Sequence, residues 1–356
     1  MAELTDTTQA AADAHPMAVY PVGVDDGYAF TKVALPNGRL LAVPSRVRTG
    51  PAGVTWIREE EQNIFEYETD GGRYSVGAVD GEPTQYDEFP GSPMNRVLVQ
   101  HALQQAGFSG RSVNVVTGLP VSAFYRSDGE QRRAAIQHKR GSLKLSVEPV
   151  RRSTAPRVRP ASIAFHDVIP EALAAWYDHV IVTSDDGVTL DADLVHAPIA
   201  VVDIGGRTTD FVVVQNQGVV HRSSGSLTKG MLDVHLAVRT GIQQRFDVGE
   251  LGEQTISRAV DTQKVRLFGK DQDIAPLVTA SKRELVEQIY SETRRKLGLG
   301  AELDRVLFVG GGSAALADAI ANRFPNQLIA DHAAFANARG MLKYLQFVCE
   351  IPDQGG

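Results

Sequence analysis

The sequence predicts an α/β protein in which two related domains of mixed β-sheet with flanking helices surround a central nucleotide cleft. A glycine turn between two apolar strands occurs at 25–32 (DDGYAFTK) and again at 203–210 (DIGGRTTD). A third glycine-rich segment, 310–313 (GGGS), stands between an apolar strand and a helix. Two strand–turn–strand units in one chain indicate two similar domains that face each other and hold the phosphates of a nucleotide from both sides.

Composition supports a large globular protein and excludes several other classes. The chain has 356 residues, of which 43% are hydrophobic and 22% charged, enough for two domains with cores. The net charge of -7 argues against a broad basic surface, so direct nucleic-acid binding is not expected. The single cysteine, Cys349, excludes an internal disulfide and favours a reducing compartment.

The N-terminal segment 1–17 is predicted to be a disordered tail. It is polar and Ala-rich and lacks the basic and apolar regions of a signal peptide. No run of about eighteen apolar residues occurs, so no membrane contact is expected. A cytoplasmic location is the expectation.

The first domain is predicted to span 18–190. It begins with a hairpin over 20–35, and a smaller β-rich subdomain follows at about 38–90, with an acidic run at 59–61 and a turn at 70–72. These segments alternate apolar residues with turn signals, which is typical of strands.

Helices and strands alternate in the rest of this half. A helix is predicted over 92–106, because Ser92 can cap it, and a strand over 113–117. The basic segment 131–159 has little aromatic interleaving, so a solvated strand–loop–strand is predicted there rather than a nucleic-acid patch. A second helix is predicted to open at 169–171 and to run through Asp178.

The second domain is predicted to span 191–330, with a helical subdomain at about 226–300 and a C-terminal helical segment (331–350) that packs back on the first domain. After the strand at 198–202 and its hairpin, the predicted helices and buried strand are 231–245, 281–297, 305–309 (strand), 314–323 and 335–347. The spacing of Leu232, His235, Leu236 and Arg239 predicts the inward face of the first of these helices. Ser281 and Glu284 have the spacing of a capping box.

The glycine turns predict phosphate binding, because backbone N–H groups can approach phosphate oxygens where no Cβ intervenes. Threonine hydroxyls add donors, and Lys32 supplies a point charge for the β- and γ-phosphates. The helix that follows 310–313 favours the α-phosphate at its N-terminus. The predicted nucleotide-binding residues of these segments are Asp26, Gly27, Thr31, Lys32, Gly205, Gly206, Thr208, Thr209, Gly310, Gly311, Gly312 and Ser313.

Two aspartates at strand ends, Asp25 and Asp203, are predicted to face each other across the cleft. Two carboxylates beside a triphosphate would repel it unless a cation lay between them. A hydrated Mg²⁺ suits this position, since it retains most of its waters and takes one or two carboxylates with phosphate oxygens. The predicted cofactors are therefore ATP, or GTP, and Mg²⁺.

The order of these three motifs resembles that of the actin-like ATPase superfamily, and the chain is most similar to the bacterial plasmid-segregation ParM/StbA family. Four details carry the resemblance, which covers about 19–347. They are the Asp doublet before Gly27, the segments 117–121 (TGLPV) and 168–171 (VIPE), and the length together with the late segment 337–340 (NARG).

The resemblance implies a fold, an activity and partners. It implies an actin-like ATPase in which Glu171 polarises the attacking water, Asp203 acts in catalysis and metal binding, and Lys229 and Gly230 lie by the ribose or base. It further implies a helical filament of identical copies and a DNA-binding adaptor at a centromere-like plasmid site. One departure is Arg207, which replaces a small hydroxyl residue and could reach a phosphate or point to solvent.

Other functions stay open on the same fold. A scaffold with another cargo cannot be separated from plasmid segregation by sequence. A sugar- or acetate-type kinase would need a pocket for a second substrate with a base that activates the acceptor; no candidate beyond Glu171 stands out, and the chain is short for most sugar kinases. A chaperone-like or regulatory ATPase would need a substrate-binding domain, for which the residues after the last predicted helix leave no room.

Overall fold

A computed structural model describes residues 18–54, 64–150, 159–184 and 187–351. The predicted tail (1–17) and the acidic run at 59–61 lie outside the described residues. In the first half the elements are β1 (Val19–Asp26), β2 (Phe30–Ala34), β3 (Leu40–Pro44), β4 (Val47–Thr49), β5 (Ile64–Thr69), β6 (Gly72–Gly77), α1 (Pro93–Gln105), β7 (Ser112–Leu119), α2 (Val121–Phe124), α3 (Arg133–Lys144), β8 (Glu148–Pro149), β9 (Ser162–Pro170), α4 (Leu173–Val180), β10 (Ile181–Ser184) and β11 (Gly187–Leu190).

The second half contains β12 (Ile199–Ile204), β13 (Thr209–Gln215), β14 (Gly218–Val219), β15 (Gly225–Leu227), α5 (Met231–Phe246), α6 (Glu253–Thr262), β16 (Lys264–Leu267), β17 (Lys270–Asp273), α7 (Ala275–Leu297), β18 (Arg305–Val309), α8 (Gly310–Ala315), α9 (Ala317–Ile320), β19 (Gln327–Ile329) and α10 (Ala336–Phe347). Among the described residues, no helix combines the length and the apolar character needed to cross a bilayer.

The two halves repeat one sheet topology. The first sheet has the order β3-β2-β1-β7-β9, and the second has β14-β13-β12-β18-β19 with β15 also paired to β13. In each, an antiparallel hairpin (β1–β2 or β12–β13) continues into two parallel strands. This repeat confirms the predicted mixed α/β architecture, while the predicted domain boundaries stay a prediction.

The last helix, α10, lies directly against the first half. A Cβ at Gly23 of β1 would stand 2.0 Å from the carbonyl oxygen of Ala338, and one at Gly340 would stand 1.6 Å from that of Ala174 in α4. Only glycine permits such close backbone approach. Gly23 therefore brings α10 against β1, the strand that leads into the first glycine turn, and Gly340 brings α10 against α4.

Several predicted elements are wrong in type or extent. The segment 131–159 contains helix α3 where strands were predicted. Its buried residues Ile136, Lys139 and Leu143 recur at helical spacing, and this periodicity was hidden by the surrounding charge. The helix predicted to open at 169–171 begins at Leu173 instead, because Ile169 and Pro170 still belong to β9.

Corrections in the second half concern helix faces and ends. Helix α5 buries Val234, Val238 and Ile242, while Leu236 of the predicted inward face is 56% exposed. Helix α7 begins at Ala275, so Ser281 is no cap; its hydroxyl donates to the carbonyl oxygen of Leu277. The predicted helix 314–323 starts at Gly310 and divides into α8 and α9.

Candidate functional site

The two glycine turns meet at one cavity of about 260 Å³. A Cβ at Gly206 would lie 2.7 Å from the Cβ of Ala29, so the turns touch each other. Of the predicted site residues, those that line the cavity are Asp25, Gly27, Lys32, Glu171, Asp203, Gly205, Gly206, Thr208, Gly311 and Gly312. The structure thus brings together the core of the predicted phosphate site from both halves.

The register of the first hairpin decides which side chains face the cavity. Asp25 pairs with Lys32, and Asp26 pairs with Thr31. Because successive side chains of a strand point to opposite faces, Asp25 and Lys32 share the cavity face. Lys32 Nζ lies 2.8 Å from Asp25 Oδ2.

Asp26 is directed away from the cavity, which corrects its assignment to nucleotide binding. Its carboxylate is fully buried and accepts two hydrogen bonds from Lys139 Nζ of α3, at 2.7 and 3.0 Å. Sequence analysis missed Lys139 because the segment around it was predicted to be solvated strand. The pair anchors the end of β1 to α3.

The other predicted nucleotide-binding residues outside the cavity lining support the turns. The Thr31 hydroxyl forms a hydrogen bond with the Ser45 hydroxyl. The Thr209 hydroxyl donates to the Lys229 carbonyl oxygen, and the Ser313 hydroxyl donates to the Val309 carbonyl oxygen. Lys229 itself pairs with Asp233. Gly230 and Gly310 pack where a Cβ would clash, 2.4 Å from the Gly206 carbonyl oxygen and 2.2 Å from Asp203 Oδ1.

Glu171 enters the cavity from the junction between β9 and α4. Its N–H donates to the carbonyl oxygen of Leu119 at 2.8 Å. The next residue, Ala172, adopts a φ of 61°, which ends the strand and turns the chain into the helix. A Cβ at Gly118 would lie 2.8 Å from Glu171 Cγ, so glycine at 118 leaves room for the Glu171 side chain.

The carboxylates of the site strongly perturb one another. Burial, followed by the charges of Asp25 and Asp210, raises the pKa of Asp203 to about 7. Burial, followed by the charges of Asp210, Asp25 and Asp203, raises the pKa of Glu171 well above its ordinary value. Burial opposes the charged form of Lys32, but the carboxylates of Asp25 and Asp203 raise its pKa.

This excess of buried negative charge fits a cation that is held mainly through water. The described part of the chain contains no group of three or more His, Cys, Asp or Glu side chains arranged to hold a metal ion directly. Direct coordination by the protein alone is therefore not built there. Asp25 and Asp203 fit a hydrated Mg²⁺ that takes its remaining ligands from water and phosphate.

Two site residues were missed by sequence analysis, Asn337 and Asp210. Asn337, at the start of α10, donates from Nδ2 to Asp203 Oδ2 at 2.6 Å and accepts from the Ala172 N–H at 3.2 Å. Asp210 accepts from the Val121 N–H at 2.6 Å and from the hydroxyls of Thr208 and Ser226. Each residue therefore bridges the two halves beside the cavity.

Arg207 neither reaches into the cavity nor points to free solvent. Its guanidinium lies 2.7 Å from Asp87 Oδ1, and its Cζ lies 5.4 Å from the ring centre of Tyr28 in the first glycine turn. We call these three residues the Arg207 clasp. The clasp joins the second glycine turn to the first half at the border of the cavity.

Comparison with known families agrees with this architecture. Residues 22–180 match the family model described as plasmid segregation protein ParM, N-terminal. Residues 201–322 match the model described as archaeal actin homologue MreB-like, C-terminal. No curated protein sequence gives a significant match to the chain.

Solved structures confirm the actin-like fold. A 15-stranded ParM filament from Clostridium botulinum is 18% identical, with a TM-score of 0.72, covering 93% of this chain and 99% of that chain. The archaeal actin homologue Ta0583 in complex with ADP is 20% identical, with a TM-score of 0.70, covering 92% of this chain and 99% of that chain. The chain is an actin-like protein similar to the plasmid-segregation ParM/StbA family, as the sequence motifs predicted.

Proposed function

We propose that this actin-like protein is a nucleotide-dependent, filament-forming ATPase that segregates plasmid DNA by polymerising and hydrolysing ATP, or GTP. One observation carries the proposal. Two equivalent glycine turns meet at a cavity that also contains Asp25, Asp203 and Glu171. Backbone N–H donors from both halves can bind phosphates there, while Asp25 and Asp203 can bind a hydrated metal ion and Glu171 can orient a water.

Each cavity residue has a proposed task. Asp25 and Asp203 hold the waters of a Mg²⁺ ion, which would offset the phosphate charge when bound. Lys32 contacts the β- and γ-phosphates, and Gly27 and Gly206 offer N–H donors without obstruction. The N–H of Gly205 already donates to the carbonyl oxygen of Thr208 at 2.9 Å, so Gly205 shapes the turn. Glu171 orients the attacking water, and such positioning provides most of the catalysis in phosphoryl transfer.

The pKa of Glu171 bears on its role. In the nucleotide-free protein its raised pKa favours the protonated acid, which cannot accept a proton from water. Electrostatic compensation of Asp25 and Asp203 by a cation would remove two of the smaller causes and lower this pKa, while burial and the charge of Asp210, the two largest causes, would remain. A cation in the site would therefore favour the carboxylate form of Glu171, which is the form that can take a proton from water.

The wall beyond the turns is proposed to hold ribose and base. It is formed by α5, α6, α8 and one side chain of α7. Its residues are Met231, Leu232, His235, Ser257, Val260, Asp261, Lys282, Gly311, Gly312 and Ala315. The predicted neighbours Lys229 and Gly230 lie just before α5 and shape this wall through their contacts with Asp233 and Gly206.

The filament and its cargo rest on the comparisons. One structure with the same fold is a ParM filament, and residues 22–180 of this chain match a ParM family model. Head-to-tail contact that does not close generates such a polymer. The net charge of -7 fits contact with plasmid DNA through a DNA-binding adaptor rather than directly.

The test is light scattering of purified protein after addition of ATP or GTP with Mg²⁺, with phosphate release followed in the same sample. We expect scattering to rise and then to decay as phosphate appears. Scattering that stays flat while phosphate is released would instead support a soluble phosphotransferase on this fold. The proposal would be refuted if neither scattering nor phosphate release rose at high protein concentration with either nucleotide.

Variants separate binding from hydrolysis. Glu171→Ala should bind nucleotide normally, release phosphate more slowly and prolong the polymer. Asp203→Ala should weaken Mg²⁺-dependent nucleotide binding itself. The exposed Glu302→Ala is the control and should change neither; normal phosphate release by Glu171→Ala would remove that residue from the mechanism.

A further inference from the structure

The hairpin β16–β17 carries an unusual turn. Leu267 pairs with Lys270, so Phe268 and Gly269 form a two-residue connection. Their φ angles are 47° and 77°. Two positive φ values in a two-residue hairpin loop define the turn for which Asn-Gly is the preferred sequence. An aromatic residue with positive φ is strained, so stability alone does not favour phenylalanine at this position.

The side chain of Phe268 is hardly packed against the rest of the described chain. It is 88% exposed, the largest value among the exposed large hydrophobic residues of the described chain. The hairpin is packed against the second half, since Val265 and Leu267 of β16 are buried in its hydrophobic core together with Ile274. The hairpin is therefore a fixed support that presents one apolar ring to the exterior.

The charge around this ring is opposite to that of the whole protein. The hairpin 264–273 (KVRLFGKDQD) contains three cationic and two acidic residues, so its formal charge is +1, whereas the chain carries a net charge of -7. Arg266 pairs with Asp271 at 3.2 Å, and Lys264 lies opposite Asp273 in the strand register, which leaves Lys270 as the cation next to the turn. A weakly cationic tip on an acidic protein is complementary in charge to the overall surface of another copy.

We propose that the Phe268 tip is a contact between successive copies of this chain in the filament. The inference rests on the proposed function, because it assigns a surface to the polymer described there. An exposed apolar ring next to the single cation Lys270 has the composition of an interface anchor, in which the ring supplies affinity and the charge supplies orientation. One ring offers too little apolar area to hold the protein on a membrane, where even a myristoyl chain binds only marginally.

The decisive variant is Phe268→Asn, since it installs the preferred Asn-Gly turn and should keep or raise the melting temperature. We expect it to bind nucleotide as the wild type does and to raise the critical concentration for polymerisation about tenfold or more. Leu299→Asn is the matched control: Leu299 is 63% exposed on another turn and should polymerise normally. A photo-reactive phenylalanine analogue at 268 should cross-link one copy to another only under polymerising conditions.

The outcomes separate this inference from the function on which it rests. If the wild type fails to polymerise with either nucleotide, both fall. If the wild type polymerises and Phe268→Asn does so at the same critical concentration, only the assignment of the tip falls. Sedimentation of the wild type, but not of Phe268→Asn, with vesicles of anionic lipid would also overturn it and identify a membrane contact instead.

Discussion

The buried ion pair between Lys139 and Asp26 allows a quantitative prediction. The side chains are 2% and 0% exposed, and Lys139 Nζ lies 2.7 Å from Asp26 Oδ2. Removal of one partner leaves an uncompensated buried charge, which costs about 3–5 kcal/mol. We therefore expect Lys139→Met to lower the free energy of unfolding by about 3–5 kcal/mol, a large share of the roughly 5–15 kcal/mol typical of folded proteins.

The assay is urea unfolding of the nucleotide-free protein, followed by circular dichroism. Arg133→Met on the same helix is the control, because Arg133 is exposed and its loss should change stability by less than about 0.5 kcal/mol. The double variant Lys139→Met/Asp26→Asn should be more stable than Lys139→Met alone, since it leaves no unpaired buried charge. A loss below about 1 kcal/mol for Lys139→Met, or a double variant no more stable than it, would refute the reasoning.

The same double variant tests the corrected position of Asp26. Because its carboxylate faces α3 and not the cavity, the folded double variant should bind Mg²⁺-nucleotide as tightly as the wild type. Binding is measured by displacement of a fluorescent nucleotide. Weaker binding by a fully folded double variant would return Asp26 to the nucleotide site.

Three further predictions concern the cavity and its supports. Burial and neighbouring carboxylates raise the pKa of Asp203 to about 7, so its protonation stabilises the nucleotide-free fold at low pH and this contribution is lost as pH rises from about 4 to about 7. Asp203→Asn should thus gain stability relative to the wild type between pH 5 and pH 8, by about 2–3 kcal/mol in chemical unfolding, because about two pKa units lie between pH 5 and the pKa of Asp203; a constant difference would contradict the pKa. Arg207→Ala should accelerate nucleotide release in stopped flow, and a double-mutant cycle with Asp87→Ala should give a coupling of only about 0.2–1 kcal/mol, because Asp87 is 87% exposed. A coupling of zero with unchanged release would show that the clasp does not hold the cleft. Gly340→Ala should lower the melting temperature sharply, because its Cβ would overlap the backbone of α4, whereas Gly141→Ala, with nothing within 4 Å, should be neutral or stabilising. Equal melting temperatures for both would contradict the packing of α10.

The fold was predictable where signals are local. Glycine turns between apolar strands predicted both hairpins, and the capping residue Ser92 predicted the start of α1. Prediction failed where packing decides. Helix α5 was predicted correctly, but two apolar stripes run along it, and only the tertiary structure chooses the one with Val234 and Val238 over the one with Leu236.

The site was predictable to the same degree. The glycine turns can be recognised from the sequence alone. Asp210 is the last residue of the second turn segment, 203–210, so its carboxylate could have been predicted as a site residue. Lys139 carries no local signal, because its partner lies 113 residues away along the chain. Asn337 belongs to the segment 337–340 on which the family resemblance partly rests, but nothing local assigns it to Asp203, which lies 134 residues away. Their roles follow from the way α10 and α3 pack against the hairpins.

The equivalent turns also differ in charge, and this difference bears on the proposed chemistry. In the first hairpin Asp25 is registered with Lys32, which pairs with it; in the second, Asp203 is registered with Asp210, another carboxylate. Asn337 satisfies Asp203 by a hydrogen bond without cancelling its charge. The uncompensated charge therefore lies on the second turn. A cation bound with the nucleotide would relieve that charge most effectively beside Asp203, which is why we expect Asp203→Ala to impair Mg²⁺-dependent binding.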